Sequence, residues 1–369
     1  MFPRSLFLCA VFTTNLAFGD SPSPNDPVFS PQIAADNSVT FRLKAPAAKE
    51  VTLRAQWTKD KLSLTKGDDG VWSLTATVTP GVWEYGFNVD GMGMIDPTNP
   101  AIKPQRQPNT SILHLPSTPP AVWDFQNVPH GAVTTHQYQS KALNTLRSCN
   151  VYTPPGYSAG NTTYPLLVLQ HGSSDNFQTW TTHGKAHWIL DNLIASGKAK
   201  PMVVLMIDGH PHGMVGRDSN PEKRTAAMEA FRRELFDDAL PLVEAQYRVS
   251  KEGSQRALAG LSMGGGQTLT VGLTELGKFG YLGAFSAAPP SEAYLPKILD
   301  NTEQLNSQVK LLWIGIGKND FLYKLNQEFI AKFKEKNLRH EFVETEGDHS
   351  WPIWRNYLAE FTPKLFQGK

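Results

Sequence analysis

The sequence predicts two folded parts: a small all-β sandwich followed by a larger α/β domain with a mostly parallel sheet. Between residues 38 and 89, short runs alternate apolar and polar residues and are separated by turn-rich clusters, a pattern typical of half-buried antiparallel strands. From about residue 130, continuous apolar runs alternate with helical patterns, as expected for strands covered by helices on both faces. We place the sandwich and its linker at residues 20–125 and the α/β domain at residues 126–369.

The first residues predict export. A short positive start is followed by a mostly apolar run over residues 6–18, with small residues at 17 and 19, which is the pattern of a cleavable signal peptide over residues 1–19. The apolar run is too short to span a membrane, and no later run of 18 apolar residues follows. We therefore expect a secreted or periplasmic protein that retains one cysteine, Cys149, after Cys9 leaves with the signal.

Composition narrows the classes of function. The 369 residues are 40% hydrophobic and carry a formal net charge of +1, so the chain has no basic field with which to hold nucleic acid. We expect neither a nucleic-acid partner nor a membrane partner. The oligomeric state is not predicted.

The strands and helices of the α/β domain follow from the apolar runs. Predicted strands, each bounded by turn residues, lie at residues 164–171, 201–207, 280–285 and 309–315. Predicted helices lie at residues 183–196, 225–246, 267–276, 325–336 and 351–366. Residues 100–129, rich in proline and polar side chains, are interpreted as the connection between the two parts.

Ser262 is the candidate nucleophile. It lies between an apolar strand-like run and a helical pattern, flanked by Gly260 and Gly264 in a Gly-x-Ser-x-Gly sequence. Glycines there remove side chains that would collide in a sharp strand-to-helix turn, so the hydroxyl can project above the sheet. A purely structural glycine turn is the alternative.

The partners that a serine nucleophile needs follow in the expected chain order. A serine hydroxyl requires a base, and the base requires a carboxylate that holds its tautomer. Asp320 follows a buried strand pattern, and His349 lies between a strand-like run and the last helix. Asp348 is the rival acid, but a sequence neighbour of the histidine tends to point elsewhere, and Asp320 could instead cap a helix.

Backbone donors for the oxyanion are expected at two places. Met263, directly after the nucleophile, supplies one N–H, and the loop that begins at His171 supplies the second from Gly172 or Ser173. His171 is interpreted as part of the scaffold of that loop rather than as a base.

Several of these motifs together carry a family resemblance over residues 134–366. The matching segments are residues 171–176 with Trp180, 190–198, 260–268, 319–323, and 347–351 with Trp354 and Arg355. They resemble the esterase D-like carbohydrate esterases of family one, which include feruloyl esterases and acetylxylan esterases. The resemblance implies an α/β-hydrolase fold, a triad of Ser262, Asp320 and His349, no metal or other cofactor, and action on esters of plant cell-wall polysaccharide.

The N-terminal part resembles a different kind of module. Residues 39–48 and 81–91 are similar to the immunoglobulin-like early-set modules related to glycogen-binding family 48, which precede the catalytic domain in feruloyl esterases. Trp57, Trp72 and Trp83 could form a sugar-stacking platform. A small sandwich also needs aromatic core residues, and the core interpretation is preferred for each of them.

The remaining signals are weaker. Trp180, His210 and Trp351 are the candidate substrate-binding residues, although the loop at residues 208–221 could be a plain connection and Trp351 could simply anchor the last helix. A zinc site is an alternative suggested by two histidine pairs, His183 with His187 and His210 with His212. However, the chain lacks a His-Glu-x-x-His set, and a serine triad needs no metal. Cys149 is set aside as a nucleophile because it lies in an ordinary strand pattern.

The sequence therefore predicts a secreted serine ester hydrolase that releases ferulic or related hydroxycinnamic acids from xylan. Its expected partners are feruloylated or acetylated xylan or the corresponding oligosaccharides. An acetylxylan esterase, a siderophore esterase of the enterochelin type, and a catalytically silent carbohydrate-binding protein remain as alternatives.

Overall fold

The structure is a computed structural model that describes residues 28–213, 215 and 219–367. The predicted signal peptide at residues 1–19 lies outside the described residues. Within the described part of the chain, no helix combines the length and the apolar character needed to cross a membrane.

The N-terminal part is a sandwich of two antiparallel sheets, as the alternating runs predict. Its strands are β1 (Gln32–Ile33), β2 (Ser38–Lys44), β3 (Val51–Ala55), β4 (Leu62–Ser63), β5 (Thr65–Lys66), β6 (Val71–Thr77), β7 (Gly81–Val89), β8 (Met92–Met94) and β9 (Ser111–Leu115). One sheet has the order β1-β2-β6-β5; the other has the order β4-β3-β7-β8, with β9 also paired to β7. The inward residues of β2, among them Val39 and Phe41, are fully buried in the core.

Strand β9 corrects the interpretation of residues 100–129 as a plain connection. Ser111 to Leu115 pairs along β7 in antiparallel register, and Leu113 and Leu115 are buried in the sandwich core. The prolines and polar residues on both sides hide this short apolar run in the sequence. The sandwich consequently extends to Leu115, and the segment before β9 belongs to it.

The α/β part is built on a sheet to which the described residues contribute eight strands. They are β10 (Ala132–Ser140), β11 (Thr145–Thr153), β12 (Leu166–Gln170), β13 (Val203–Ile207), β14 (Arg256–Leu261), β15 (Tyr281–Phe285), β16 (Leu311–Gly317) and β17 (Glu341–Thr345). Their order is β10-β11-β13-β12-β14-β15-β16-β17. Strands β12 to β17 run parallel, and the β10–β11 hairpin adds an antiparallel edge.

Helices cover both faces of this sheet. They are α1 (Thr179–Thr182), α2 (Ala186–Ala195), α3 (Pro221–Glu234), α4 (Leu240–Gln246), α5 (Met263–Thr274), α6 (Leu295–Leu299), α7 (Thr302–Gln308), α8 (Tyr323–Glu335) and α9 (Trp351–Phe361). The predicted helix at residues 225–246 is α3 and α4 joined by a π-helical turn, Leu235–Ala239. The five predicted helices are all present, with boundaries shifted by a few residues.

The parallel strands bring the candidate residues together. Gln170 pairs with Gly260, Leu261 with Phe285, and Gly317 with Thr345, so the strands end side by side at one edge of the sheet. The residues that follow β12, β14, β16 and β17 therefore lie at the same edge. In open α/β sheets this carboxyl edge is where ligands bind.

Candidate active site

Ser262 lies at the apex of a sharp turn between β14 and α5. Its backbone has φ 52° and ψ −112°, a conformation that L-residues rarely adopt. The turn is closed by a hydrogen bond from the Ser262 N–H to the Phe285 carbonyl oxygen at 2.8 Å. The serine is thus held by the backbone with its side chain directed off the end of the sheet.

The flanking glycines are required by close backbone approach. A Cβ on Gly260 would lie 2.6 Å from the carbonyl carbon of Gly264, and a Cβ on Gly264 would lie 2.5 Å from the His171 carbonyl oxygen. Both neighbours are backbone atoms, which cannot move aside cheaply. The two glycines of the Gly-x-Ser-x-Gly sequence are therefore needed for steric reasons, as the sequence pattern predicts.

The structure brings Ser262, His349 and Asp320 together. His349 Nε2 lies 2.9 Å from Ser262 Oγ, and His349 Nδ1 lies 2.8 Å from Asp320 Oδ2. An ionised carboxylate can only accept, so Nδ1 carries the ring proton and donates it to Asp320. Nε2 is then free to accept the hydroxyl proton of Ser262, as a base in a serine triad must.

Asp320 is held as an ionised carboxylate. Its side chain is buried, and its Oδ1 accepts a hydrogen bond from the Leu322 N–H at 2.8 Å. Burial alone would raise the pKa of Asp320, but the hydrogen bonds from His349 and Leu322 outweigh it and hold the pKa below its ordinary value. Asp348, the rival acid, is exposed to solvent, whereas Asp320 is the carboxylate that contacts His349.

Two backbone segments approach the nucleophile as oxyanion donors would. Met263 is the first residue of α5, so its N–H has no partner within the helix. On the other side, a Cβ on Gly172 would lie 2.5 Å from Leu261 Cδ1 and 3.5 Å from Ser262 Cβ. The absence of a side chain at Gly172 lets the loop after β12, residues 171–176, pack against the Leu261 side chain and approach the serine.

His171 fixes the orientation of this loop. Its Nε2 accepts the Gly209 N–H at 2.8 Å, so its proton is on Nδ1, which donates to the Gly172 carbonyl oxygen at 2.7 Å. In a trans peptide the following N–H points away from the carbonyl. The bond to Gly172 therefore turns the Ser173 N–H to the opposite side, which favours Ser173 as the donor of this loop.

A cavity of about 560 Å³ opens beside Ser262. Its wall includes the apolar side chains of Met228, Pro289 and Tyr294. His210 also lines the cavity and is almost fully buried, and burial lowers its pKa to about 4, so the ring is neutral. In the described part of the chain, His210 Nε2 and the Oε1 of Gln267, another wall residue, have no hydrogen-bond partner.

The two candidate tryptophans occupy different places. Trp351 lines the cavity and packs edge-on against Trp354. It therefore both forms part of the cavity wall and anchors the last helix, the two alternatives that the sequence left open. Trp180, expected at the substrate surface, does not line the cavity. It is 1% exposed and its indole N–H donates to the Gln170 carbonyl oxygen at 2.8 Å, so its position is that of a core residue.

The weaker sequence signals also have defined positions. Burial raises the pKa of the Cys149 thiol to about 12, so this residue is not a thiolate near neutral pH. Among the described residues, no group of three or more histidine, cysteine or acidic side chains is arranged to hold a metal ion. Trp57, Trp72 and Trp83 all pack against the sandwich core, and Trp72 and Trp83 donate their indole N–H to backbone carbonyls.

Three wall residues were not singled out from the sequence. Phe321, adjacent to the acid, is 60% exposed and its ring lies 4.4 Å from the His349 ring. Gln267, like Phe321, lies within a motif of the family resemblance, which assigns neither residue a role. Lys103 comes from the sandwich and lines the same cavity. Nothing local in the sequence marks Lys103, whereas an aromatic residue next to a predicted catalytic acid is a signal that could have marked Phe321.

A hydrogen-bonded serine, histidine and aspartate lie together at the carboxyl edge of an α/β-hydrolase sheet, which is the arrangement of a serine hydrolase triad. The family comparison is consistent with this arrangement. The chain belongs to the esterase family described as “Putative esterase”, which matches residues 140–365.

Relatives by sequence include proteins whose names describe them as esterases. An endo-1,4-beta-xylanase/feruloyl esterase from Xylanibacter ruminicola is 29% identical over 351 residues, which cover 91% of this chain and 46% of that protein. An esterase from Mycobacterium tuberculosis is 32% identical over 132 residues, or 35% of this chain and 26% of that protein. The chain thus spans about half the length, or less, of these curated relatives.

Solved structures of esterases share the fold. A ferulic acid esterase from the anaerobic fungus Anaeromyces mucronatus is 26% identical, with a TM-score of 0.57 over 66% of this chain and 93% of that one. The enterobactin esterase of Shigella flexneri has a TM-score of 0.65 at 20% identity and covers 89% of this chain and 93% of its own. At that identity the second likeness concerns the fold alone, but it extends over the sandwich as well.

Proposed function

We propose that this protein is a secreted serine carboxylic ester hydrolase that releases ferulic or related hydroxycinnamic acids from feruloylated xylan. The observation that carries the proposal is a largely apolar cavity of about 560 Å³ that opens directly on the hydrogen-bonded pair of Ser262 and His349. This volume falls within the range of roughly 300–1,000 Å³ found for pockets that hold drug-sized ligands. It is far larger than an acetyl group requires.

The polar atoms of the wall suit a phenolic acyl group. His210 Nε2 and Gln267 Oε1 are buried without partners in the described residues, and unpaired buried polar atoms are unfavourable until a ligand satisfies them. A ring hydroxyl of a hydroxycinnamate can both donate and accept a hydrogen bond. An aliphatic acyl chain offers neither interaction.

The proposed reaction follows the geometry of the three side chains. Ser262 Oγ attacks the ester carbonyl carbon while His349 Nε2 takes the hydroxyl proton, and Asp320 stabilises the imidazolium that forms. The N–H groups of Met263 and Ser173 stabilise the oxyanion of the tetrahedral intermediate. His349 then returns the proton to the departing sugar oxygen, which leaves an acyl-serine that water hydrolyses by the same steps.

The relatives support the choice of substrate. The 29% identical relative carries feruloyl esterase in its name, and a ferulic acid esterase structure has been solved with ferulic acid bound. A siderophore esterase is the second candidate because the enterobactin esterase likeness extends over both parts of this chain. A catecholate ester is also aromatic and hydroxylated, so the cavity alone does not separate the two candidates.

Product analysis tests the proposal. Purified protein is incubated separately with feruloylated arabinoxylan, acetylated xylan and a cyclic catecholate trilactone, and the released acids are separated by chromatography. We expect ferulate from the first substrate. Release of acetate alone or of catecholate alone would transfer the proposal to the corresponding alternative, and no release from any ester would favour a silent carbohydrate-binding protein.

Secretion is a separate part of the proposal. It is supported by the mostly apolar run at residues 6–18 and the small residues at 17 and 19. Expression of the full chain in a bacterial host with mass spectrometry of the exported form is the test. An exported protein that begins near residue 20 is expected, and retention of residues 1–19 on a protein found only inside the cell would contradict it.

A further inference from the structure

One segment of the sandwich reaches the active site. Residues 103–106, between β8 and β9, lie against residues 172–176, the loop that follows β12 and contributes the proposed oxyanion donor. Lys103 itself lines the cavity beside Ser262. The contact joins two parts of the chain that the sequence places in separate domains.

Backbone interactions hold the two segments together. The Arg106 N–H donates to the Ser174 carbonyl oxygen at 2.9 Å, and Gln105 and Asp175 form an antiparallel bridge. Thr179 Oγ1 donates to the Pro104 carbonyl oxygen at 2.6 Å. The segment therefore pairs with the loop almost as an extra strand would.

Lys103 adds a buried charge to this contact. It is 6% exposed, and its Nζ lies 3.3 Å from Asp175 Oδ1 in the loop and 3.0 Å from Glu84 Oε1 on β7. Asp175 is itself 3% exposed. Burial raises the pKa of Asp175, and the adjacent Lys103 ammonium opposes that rise, so Lys103 stabilises the charged form of Asp175 in this position.

The loop needs such support because its conformation is strained. Ser174 has φ 70°, in the left-handed region that a non-glycine residue enters only at an energetic cost, and the neighbouring Ser173 N–H is the proposed donor. An oxyanion donor works only when it lies about 3 Å from where the charge develops. A small shift of this loop therefore lowers the rate of the chemical step, while the cavity can still bind the substrate.

We propose that Lys103 is a positioning residue for ester hydrolysis: by pairing with Asp175 it fixes the loop that carries the oxyanion donor. The sandwich is then a working part of the active site and not only an attached module. This inference rests on hydrolysis at Ser262 and holds for any acyl group, so it is independent of the proposed xylan substrate.

The test compares kcat and KM for p-nitrophenyl acetate, a small ester that needs no sugar contact. Lys103→Met removes the charge at similar length, and Lys103→Arg keeps it. The matched control is Lys61→Met, which breaks an exposed ion pair with Glu50 in the same sandwich. Rates are expressed per folded molecule, with the folded fraction measured by near-ultraviolet circular dichroism.

We expect Lys103→Met to lower kcat by about tenfold to a hundredfold with KM within about threefold, less than the hundred- to thousandfold loss of a whole donor. Lys103→Arg should recover most of the rate, and Lys61→Met should match the unaltered protein. An unchanged kcat per folded molecule would reduce Lys103 to a purely structural role. A raised KM with unchanged kcat would make Lys103 a substrate contact, and either result would overturn the inference.

A neutral variant covers the case in which Lys103→Met does not fold. Thr179→Val keeps the volume and charge but removes both hydrogen bonds of the hydroxyl, the one donated to the Pro104 carbonyl oxygen and the one accepted from the Asn176 N–H in the loop. The same selective loss of kcat is expected, though smaller. If this variant folds and turns over the ester at the original rate, residues 103–106 do not position the loop.

Discussion

At the scale of single residues, the site depends on which carboxylate orients His349. Asp320 is buried, and its two oxygens accept separate hydrogen bonds, from His349 Nδ1 and the Leu322 N–H. Asp348 is the neighbour of His349 in sequence but is exposed. Asp320 is therefore identified as the acid of the triad by its burial and its contact with His349. The sequence alone favoured Asp320 over Asp348 but did not exclude Asp348.

Exchange of each aspartate for asparagine tests this assignment. Asp320→Asn leaves the shape of the site but offers an amide in place of the acceptor, so the imidazole loses its required tautomer. We expect kcat to fall by roughly ten-thousandfold, as for the equivalent change in a serine protease triad. Asp348→Asn should stay within about twofold because exposed substitutions rarely matter. Steady-state hydrolysis of methyl ferulate measures both, and the reverse order of effects would move the acid to Asp348.

At the scale of elements, the nucleophile is placed by the packing of β14, α5 and the loop after β12. Gly260, Gly264 and Gly172 each lie so close to a neighbour that a Cβ would fall 2.5–2.6 Å from another heavy atom. Packed interiors tolerate little added volume. The turn at Ser262 is therefore fixed by two close backbone approaches, at Gly260 and Gly264, while Gly172 packs against the end of the Leu261 side chain.

Gly264→Ala tests this packing. Its new Cβ would meet the His171 carbonyl oxygen, so either α5 or the loop after β12 must shift. We expect a loss of about 1–3 kcal/mol in the free energy of unfolding, as for other overpacked sites. The matched control is Gly160→Ala, where nothing lies within 4 Å of the new atom. Urea denaturation measures both, and equal stability of the two variants would contradict the steric account.

The sequence predicted the elements whose signal is local. Continuous apolar runs mark β12 to β16, and the Gly-x-Ser-x-Gly pattern marks the elbow, because both arise from burial or backbone geometry at those residues themselves. Strand β9 was missed since its five residues lie in a proline-rich segment. Trp180 was expected on substrate because residue type alone does not distinguish a cavity wall from the core behind it.

Contacts between distant segments could not be predicted in the same way. The pairing of Lys103 with Asp175 joins positions 72 residues apart, and neither residue lies in a periodic pattern. The triad is an exception, since strand ends of a parallel sheet must meet at one edge and the chain order of such triads is known. No comparable rule predicts the contact between the sandwich and the loop after β12, so only the folded structure shows it.

At the scale of the whole molecule, buried polar groups join the sandwich to the α/β part. Arg355 on α9 is 1% exposed and donates to the Val82 carbonyl oxygen on β7 at 2.7 Å. His183, which follows α1, lies 3.3 Å from Glu84 Oε1. Arg355 and Lys103 are the cations near this imidazole. This buried contact makes the stability of the whole chain sensitive to pH.

Burial lowers the pKa of His183 to about 3, against 6.5 for an exposed histidine. At pH 5 the unfolded chain therefore binds a proton that the folded chain does not, so acid favours unfolding below about pH 6.5. At about 1.4 kcal/mol per pH unit, His183 should contribute a loss of roughly 2 kcal/mol between pH 7 and pH 5.

Denaturant titrations at pH 7 and pH 5 measure this loss. His183→Gln should reduce the difference in stability between the two pH values, because glutamine does not titrate. His212→Gln, at an exposed position, is the matched control and should leave the difference unchanged. If His183→Gln and the control show the same pH dependence as the unaltered chain, His183 is not neutral in the folded protein.

The most direct test of the whole account is the rate of methyl ferulate hydrolysis by Ser262→Ala. We expect a loss of at least about a thousandfold in kcat, since the hydroxyl is the attacking group, with an unchanged melting temperature. Ser158→Ala, at an exposed serine that does not line the cavity, should retain full activity. A Ser262→Ala enzyme that keeps most of its activity would contradict the central claim that this hydroxyl, activated by His349, cleaves the ester.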